Sequence, residues 1–392
     1  MSDLVEHAER MLRLGEPGAH PAGAIAGVRT SAGTAVEAAG WAALPSGDAP
    51  GVPMAPGALL DLASVTKVAA TTAIIMRLVA AGDLRLEDRV RDHLPGFAGE
   101  GKGDVTLEHL LTHTAGLQPW WPLYLETTDR DAAVARAQEL PLATEAGRAW
   151  RYSDLGLILA GAIVEKVTGT PLHTVYRRLV AEPLGLASGY GPVGAALAAT
   201  SADSDAYEFR MVSTGIPYPV PFAAGGFPGW RDRPLRGEAN DGNAAHALGG
   251  VSGHAGLFST VDDLLTFGSA LRRGDLVPPT IVERFSRPSP VHPEQAVGFR
   301  RSTVELGGEP LTLLHHGGFT GTWLALALER DVVVAGGATR LHGTVGRIPG
   351  DDSTPEIPEL VTLDDIQAVL LEAAADVVAG HTASPTTRAE KR

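Results

Sequence analysis

The chain has 392 residues, enough for one large domain with an insertion or for two domains, and 44% of them are hydrophobic. Its formal net charge of −14 argues against a nucleic-acid or anionic-membrane partner, since either needs a basic patch. It contains no cysteine, which excludes disulfides, a thiolate nucleophile and cysteine metal ligands.

The opening stretch "MSDLVEHAERMLRLGEPG" alternates charged and apolar residues at helical spacing, predicting a helix from about Asp3 to Leu14 that stops at Gly15. It lacks the basic start and apolar centre of a signal peptide. No stretch reaches about 18 uninterrupted apolar residues, so a cytoplasmic protein is the expectation. "AGAIAGVRT" and "GTAVEAAGWAAL" read as two strands around the turn "SAG". From Ser64 to Ala81 apolar residues recur at three and four, predicting a helix that ends at Gly82. "RLEDRVRDHLPGF", "TLEHLLTHTAGL", "SDLGLILAGAIVEKVTG" and "TVYRRLVAEPLGL" are further helical pieces. Residues 188–253 are rich in Gly, Pro and aromatics and weakly periodic, and read as long loops around a site. "STVDDLLTFGSALRRG" returns to helix. The period then changes, and "VGFRRSTVE", "LTLLHHGG", "TWLALALER" and "DVVVAGGAT" read as four successive strands. "LVTLDDIQAVLLEAAADVVA" is a long closing helix, and residues 383–392 read as a frayed, flexible tail.

Strands at both ends with helices between predict an α/β (α+β) fold, an antiparallel sheet built from both termini and flanked by the terminal helices. Residues 1–84 and 295–392 form the expected α/β domain, with a mostly helical domain over 85–294.

The chain has only four lysines, and Lys67 alone sits in an apolar helix, three residues after Ser64. That spacing puts both side chains on one helix face. Backbone N–H groups at the helix start favour developing negative charge there. An ordinary lysine, with a pKa of about 10.4, is almost wholly protonated at neutral pH. Burial and a nearby cation lower such a pKa by several units. The expectation is therefore a neutral Lys67 that takes the Ser64 proton and activates a nucleophile. Tyr152, Ser153 and Asp154 precede another helix. Asp154 reads either as its N-cap or as the charge that holds Lys67, with Tyr152 relaying a proton to the leaving group. "LLHHGGFTG" reads as a strand end with small residues, where a substrate can lie and the Phe319 N–H can complete an oxyanion hole. His316 and Gly318 are assigned to that strand edge. His315, one residue out of register, is the alternative.

Among the remaining candidates, Trp120, Trp121, Tyr124, Tyr207 and Trp230 either line a substrate pocket or anchor core and loops. His254 lies in a Gly-rich loop that can border the site, and Asn240 and Asp241 carry a weaker signal. His113 reads as a helical, structural histidine. No His/Asp spacing suggests a metal site, so no metal and no cofactor is expected.

The order Ser-x-x-Lys, Tyr-x-Asp, His-x-Gly resembles the serine β-lactamase-related family, which includes penicillin-binding-protein-like peptidases, esterases and transacylases. The class C branch is the most similar. "LASVTKVAATTAIIMRLVAAGDLRLEDRV", "VTLEHLLTHTAGL", "YSDLGLILAGAIVEKVTGTPL", "GHAGLFSTVDDL" and "HHGGFTGTWLALALE" carry the resemblance, over roughly residues 20–340. It implies that Ser64 attacks an acyl carbonyl, that Lys67 and Tyr152 share the base and acid roles, and that the Ser64 and Phe319 N–H groups hold the oxyanion. The family's lactamases carry Asn at the Asp154 position and Lys-Thr-Gly where His316-Gly317-Gly318 stands. Loss of that lysine, which binds a substrate carboxylate, points toward an ester or uncharged amide. The expectation is a serine esterase, amide hydrolase or biosynthetic transacylase of secondary metabolism, with a small-molecule substrate and an amine or alcohol as possible acyl acceptor. A β-lactamase or D,D-peptidase is the alternative, and a non-catalytic binding protein of the same fold is the rival from another class.

Overall fold

Strand alternation decides the layering of this molecule. The computed structural model describes residues 2–351 and 353–382, so the expected tail over 383–392 lies outside the described residues. Seven strands form one antiparallel sheet: β1 (Gly23–Thr30), β2 (Gly33–Ala43), β3 (Val52–Pro53), β4 (Arg300–Leu306), β5 (Glu309–Gly317), β6 (Thr322–Ala327) and β7 (Val332–Ala338). Their order is β3-β2-β1-β7-β6-β5-β4, so the two ends of the chain meet where β1 pairs with β7, Gly27 opposite Ala335.

Successive side chains of a strand point to opposite faces. On one face Ala24, Ala26, Val28, Trp323, Ala325 and Ala327 pack beneath helix α1 (Ser2–Met11) and helix α7 (Leu363–Thr382). On the other, Ile25, Leu324, Leu326 and Val333 join the larger core. A one-residue slip of β6 would exchange these sets, which fixes its register.

Four helices between the sheet halves matter for the site. They are α2 (Ala63–Ala81), α4 (Asp154–Thr168), α5 (Ala206–Thr214) and α6 (Val261–Arg273); α3 (Arg130–Glu139) lies among them in sequence. α2 is not uniform. A 3₁₀ turn over Ala63–Val65 leads into a π-helical stretch, Lys67–Thr72, before the regular turns of Ala73–Ala81. Wide π turns are uncommon and concentrate at functional sites. α2 is long and apolar enough to cross a membrane, but 78% of that window is buried inside the fold.

Three expectations change here. α6, assigned to the helical region, packs on the sheet. A Cβ on Gly268 would stand 2.6 Å from Val333 Cγ1, so the glycine permits this close approach. The stretch 188–253 is not all loop: it contains α5, a short amphipathic helix burying Phe209 and Val212 that the Gly- and Pro-rich run from Gly215 onward masks. The helix expected in "RLEDRVRDHLPGF" shrinks to Val90–His93, with Pro95 close behind.

Candidate active site

Ser64 sits in the 3₁₀ turn that opens α2. The residue before it, Ala63, has φ 43°, a left-handed conformation that costs a non-glycine residue energy and marks a constrained turn. Side chains from distant segments hold that turn. The Asp61 carboxylate accepts the Ala63 N–H at 2.9 Å and the Asn240 N–H at 2.6 Å. Burial pushes the Asp61 carboxyl up to about 6, against the pull of those two donors. The Thr320 hydroxyl donates to Asp61 O at 2.7 Å, and the Thr322 hydroxyl to Leu62 O at 3.0 Å. The β5–β6 turn is thereby tied to the residues just before Ser64. Only glycine fits at 318: an added Cβ would lie 2.2 Å from Thr322 Oγ1 and 2.3 Å from Leu62 O.

One turn into α2, the Lys67 side chain is 0% exposed. Its ammonium donates to Ser64 Oγ at 2.6 Å and to His254 O at 3.3 Å, and stands 2.8 Å from Asp154 Oδ1. Burial pulls the ammonium pKa down, but the Asp154 carboxylate and Tyr152 outweigh it and hold the lysine above its ordinary range. The expected neutral Lys67 is thus corrected. Its near neighbour is an anion, which reverses the effect of burial, and not a cation that would have reinforced it. Asp154 is not the helix cap either. Ser153 Oγ accepts the Gly156 N–H, and Asp154 is the first residue of α4, free to meet Lys67.

Tyr152 is half-buried, with its ring centroid 5.0 Å from Lys67 Nζ and its hydroxyl turned toward Lys67 and Ser64. Burial pushes the phenol up and the Lys67 ammonium only partly offsets this, so it stays protonated at neutral pH. Its ring lies 4.6 Å from that of His113. His113 is not helical as expected. It follows the helix Leu107–Leu111 in a left-handed turn, φ 56°, and its Nδ1 accepts the Ser153 N–H at 3.1 Å. Burial, with help from Lys67, pushes it down to about 3. It therefore braces the Tyr152 segment as a neutral acceptor across 40 residues of sequence, which no local pattern announces.

β5 settles the two histidines by alternation. His316 is 3% exposed and lies on the Tyr152 side, with ring centroids 5.9 Å apart. His315 takes the opposite face, where its Nδ1 accepts the Trp323 indole N–H at 3.4 Å. His316 donates from Nδ1 to Gly317 O at 2.8 Å, leaving Nε2 buried without a hydrogen-bond partner among the described residues. Burial and the Lys67 charge push it well below its usual range, so it is neutral. The Phe319 N–H makes no hydrogen bond among the described residues, while its carbonyl accepts from Arg340.

Ser64, Tyr152, Asp154 and Phe319 open into one cavity of about 200 Å³. Trp120 and Tyr207 line it, as do Asn240 and Asp241, which carried the weaker signal. Trp121 and Trp230 do not. Their indole N–H groups donate to Glu126 and to Ala224 O, and they anchor loops. His254 stands behind the wall, its Nε2 2.9 Å from Asp241 and its Nδ1 2.7 Å from Ser252 Oγ. Glu208, Met211 and Tyr218 also line the cavity and were not anticipated. The first two project from α5, whose helical period would have exposed them. Asp154, Asp241 and His254 bring ligand-type atoms within 4.8 Å of one another, a grouping invisible in their spacing. The Lys67 ammonium already supplies positive charge there, through its contacts to Asp154 and the His254 carbonyl.

Residues 13–354 match the Beta-lactamase family. The chain is 33% identical over 267 residues to an N-acetylmuramyl-L-alanine amidase from Bacillus subtilis, covering 62% of this chain and 58% of that one. It is 32% identical over 240 residues to a putative D-alanyl-D-alanine carboxypeptidase from Escherichia coli, covering 56% and 51% respectively. The chain thus spans little more than half the length of these curated relatives. A penicillin-binding protein homologue from Caulobacter crescentus shares the fold with a TM-score of 0.67 at 22% identity, over 96% of both chains. With a family match across most of its length and the antiparallel sheet flanked by helices in place, the chain belongs to the Beta-lactamase family.

Proposed function

We propose that the protein is a serine acyl-transfer enzyme that links Ser64 to the acyl group of a small ester or amide. The observation that carries this reading is the contact chain from Ser64 Oγ through Lys67 Nζ to Asp154 Oδ1. With Lys67 and Tyr152 both protonated at rest, Asp154 is the group able to receive a proton. As Ser64 attacks the carbonyl, its proton passes to Lys67 while Lys67 passes one to Asp154. The serine–carbon bond forms, the carbonyl π pair moves onto oxygen, and the Lys67 cation stays beside the oxyanion. The Ser64 and Phe319 N–H groups complete the oxyanion hole. Tyr152 then protonates the departing alcohol or amine, and its phenolate recovers the proton from Asp154 through Lys67. Water, or an amine or alcohol acceptor, takes the acyl group by the reverse sequence.

An ester or uncharged amide is favoured because neutral His316 stands where a carboxylate-binding lysine resides in the family's lactamases. The similarity to a putative carboxypeptidase supports the peptidase reading as the alternative. A turnover panel separates them: p-nitrophenyl butyrate, an amino-acid p-nitroanilide, nitrocefin and a peptide ending in D-alanyl-D-alanine. The ester or anilide should be turned over fastest, and Ser64→Ala should abolish it. Fastest turnover of nitrocefin or the peptide would favour the alternative. No turnover of any would favour a binding protein.

A further inference from the structure

Arg340 stands just beyond the end of β7, and its side chain reaches back to the β5–β6 turn. It is 9% exposed, and no carboxylate pairs with it among the described residues. A buried charge ordinarily needs a charged partner. Arg231, whose side chain is as well shielded, has one in Asp205 at 2.7 Å. Arg340 is held by Phe319 instead. Its Nε donates to Phe319 O at 2.9 Å, and its guanidinium carbon lies 5.0 Å from the centre of the Phe319 ring. Nη1 donates to Val361 O at 2.7 Å. Burial draws the guanidinium pKa down, but an arginine stays protonated at neutral pH.

Phe319 is the first inner residue of a turn that the Gly321 N–H closes on Gly318 O at 2.8 Å. The carbonyl at that position bonds to nothing inside such a turn, and Arg340 takes it. Thr320 and Thr322 tie the same turn to Asp61 O and Leu62 O. Phe319 is thus fixed between the Ser64 turn and a guanidinium, with its own N–H left free among the described residues. The electrostatics point the same way. The cavity is lined by Asp154, Asp205, Glu208 and Asp241, and by no Lys, Arg or His. Ionised carboxylates oppose the negative charge that an attacked carbonyl oxygen acquires. Lys67 is matched with Asp154 and Arg231 with Asp205. Arg340 brings to Phe319 a positive charge that no carboxylate cancels.

We propose that Arg340 is a positioning residue of the oxyanion hole: it holds Phe319 so that its N–H meets the oxyanion, and its unpaired charge favours the negative oxygen. This role rests on the acyl-enzyme reading above. A fixed donor and a fixed charge of this kind act on the tetrahedral, negatively charged state and little on the neutral substrate. Loss of Arg340 should therefore fall on kcat and on the affinity for tetrahedral anions. A residue that only supports the fold would weaken neutral ligands as well.

The decisive experiment measures inhibition of p-nitrophenyl butyrate turnover by butylboronic acid and by butyramide, in wild type, Arg340→Met and Arg340→Lys. The boronic acid bonds to Ser64 Oγ as a tetrahedral anion, its serine proton passing to the Lys67–Asp154 pair, whereas butyramide stays neutral and trigonal. Arg340→Met should lower kcat and boronate affinity at least about tenfold and leave butyramide affinity within about twofold of wild type. Arg340→Lys, which keeps a cation and a donor, should recover about threefold or more of the boronate loss. Boronate affinity within twofold of wild type in folded Arg340→Met, or equal losses for both inhibitors, overturns the role. Should Arg340→Met not fold, Arg340→Gln, which keeps a donor and removes the charge, is judged by the same two outcomes. Labelling of wild-type Ser64 by a fluorophosphonate reports on the nucleophile alone. A labelled serine with no selective boronate loss sinks the Arg340 role and leaves the acyl-enzyme standing. A wild type that neither labels nor turns over sinks both.

Discussion

Lys67 and Asp154 form a buried ion pair, Nζ to Oδ1 2.8 Å, with the lysine wholly shielded from solvent. In the proposed acyl transfer, that pair sets how Ser64 is activated. Burial favours a neutral lysine, but the adjacent carboxylate reverses the direction and keeps it cationic. A lysine held above its ordinary range does not lose its proton near pH 7, so wild-type activity should need no deprotonation of Lys67 in the neutral range. Asp154→Asn removes both the proton acceptor and the charge that raises Lys67. We expect kcat/KM on a p-nitrophenyl ester at pH 7 to fall by about 10²–10⁴-fold. The residual activity should climb with pH as Lys67 becomes the base. A pH–rate profile that matches wild type would remove Asp154 from the relay.

Tyr152 is assigned the leaving-group proton, and the quality of the leaving group exposes that role. p-Nitrophenolate departs without help, whereas an alkoxide or amide nitrogen needs a proton. Tyr152→Phe should therefore cost about 10²-fold or more in kcat on an alkyl ester or anilide, and markedly less on a p-nitrophenyl ester. Equal losses on both would make Tyr152 a positioning residue, not an acid.

Much of this arrangement could be read from the chain alone. Ser64 and Lys67 lie on one helix face at i and i+3, and β1, β2 and β4–β7 stand out as short runs between turn residues, with β6 and β7 apolar throughout because both faces are covered. What could not be read is what depends on tertiary pairing. Lys67 looked like a lysine awaiting a depressed pKa because the partner that raises it, Asp154, is 87 positions away and also resembled a cap. His113 looked helical because its left-handed turn has no glycine to announce it. Glu208 was hidden in a short helix that runs straight into the Gly- and Pro-rich stretch beginning at Gly215. The His315/His316 ambiguity is of the same kind, since one residue of register is decided by which face meets Trp323.

Gly318 joins the strand turn to the nucleophile turn. An alanine there would drive its Cβ against the Leu62 carbonyl, a backbone atom that cannot move without displacing the Ser64 turn. Gly318→Ala should lower ester turnover at least 10²-fold, the scale of a lost oxyanion donor, while circular dichroism still reports folded protein. Turnover within twofold of wild type would show that the turn yields at no catalytic cost.

Asp61 offers a pH signature of the scaffold. Its folded pKa, about 6, is above its ordinary 3.8. A carboxyl raised in this way binds its proton more tightly in the folded state. Its stabilising contribution is full below about pH 4 and is lost as pH rises through 6. Chemical denaturation at pH 4.5 and 6.5 should show this decline in the wild type, and Asp61→Asn should lack that component. Asn also places an amide N–H against one of the two backbone donors, so it should lower stability by about 1–3 kcal/mol at pH 7. Identical stability–pH slopes in both proteins would contradict the assignment.

The central claim is that Ser64 is the acylated nucleophile. Intact-protein mass after brief exposure to a p-nitrophenyl ester, a penicillin and a fluorophosphonate tests it most directly, with native protein and Ser64→Ala side by side. The account predicts a single-adduct mass increase from the fluorophosphonate and the ester in native protein, little or none from the penicillin, and none from any reagent in Ser64→Ala. Folded native protein that gains no mass from any reagent, or an adduct that persists in Ser64→Ala, would contradict it.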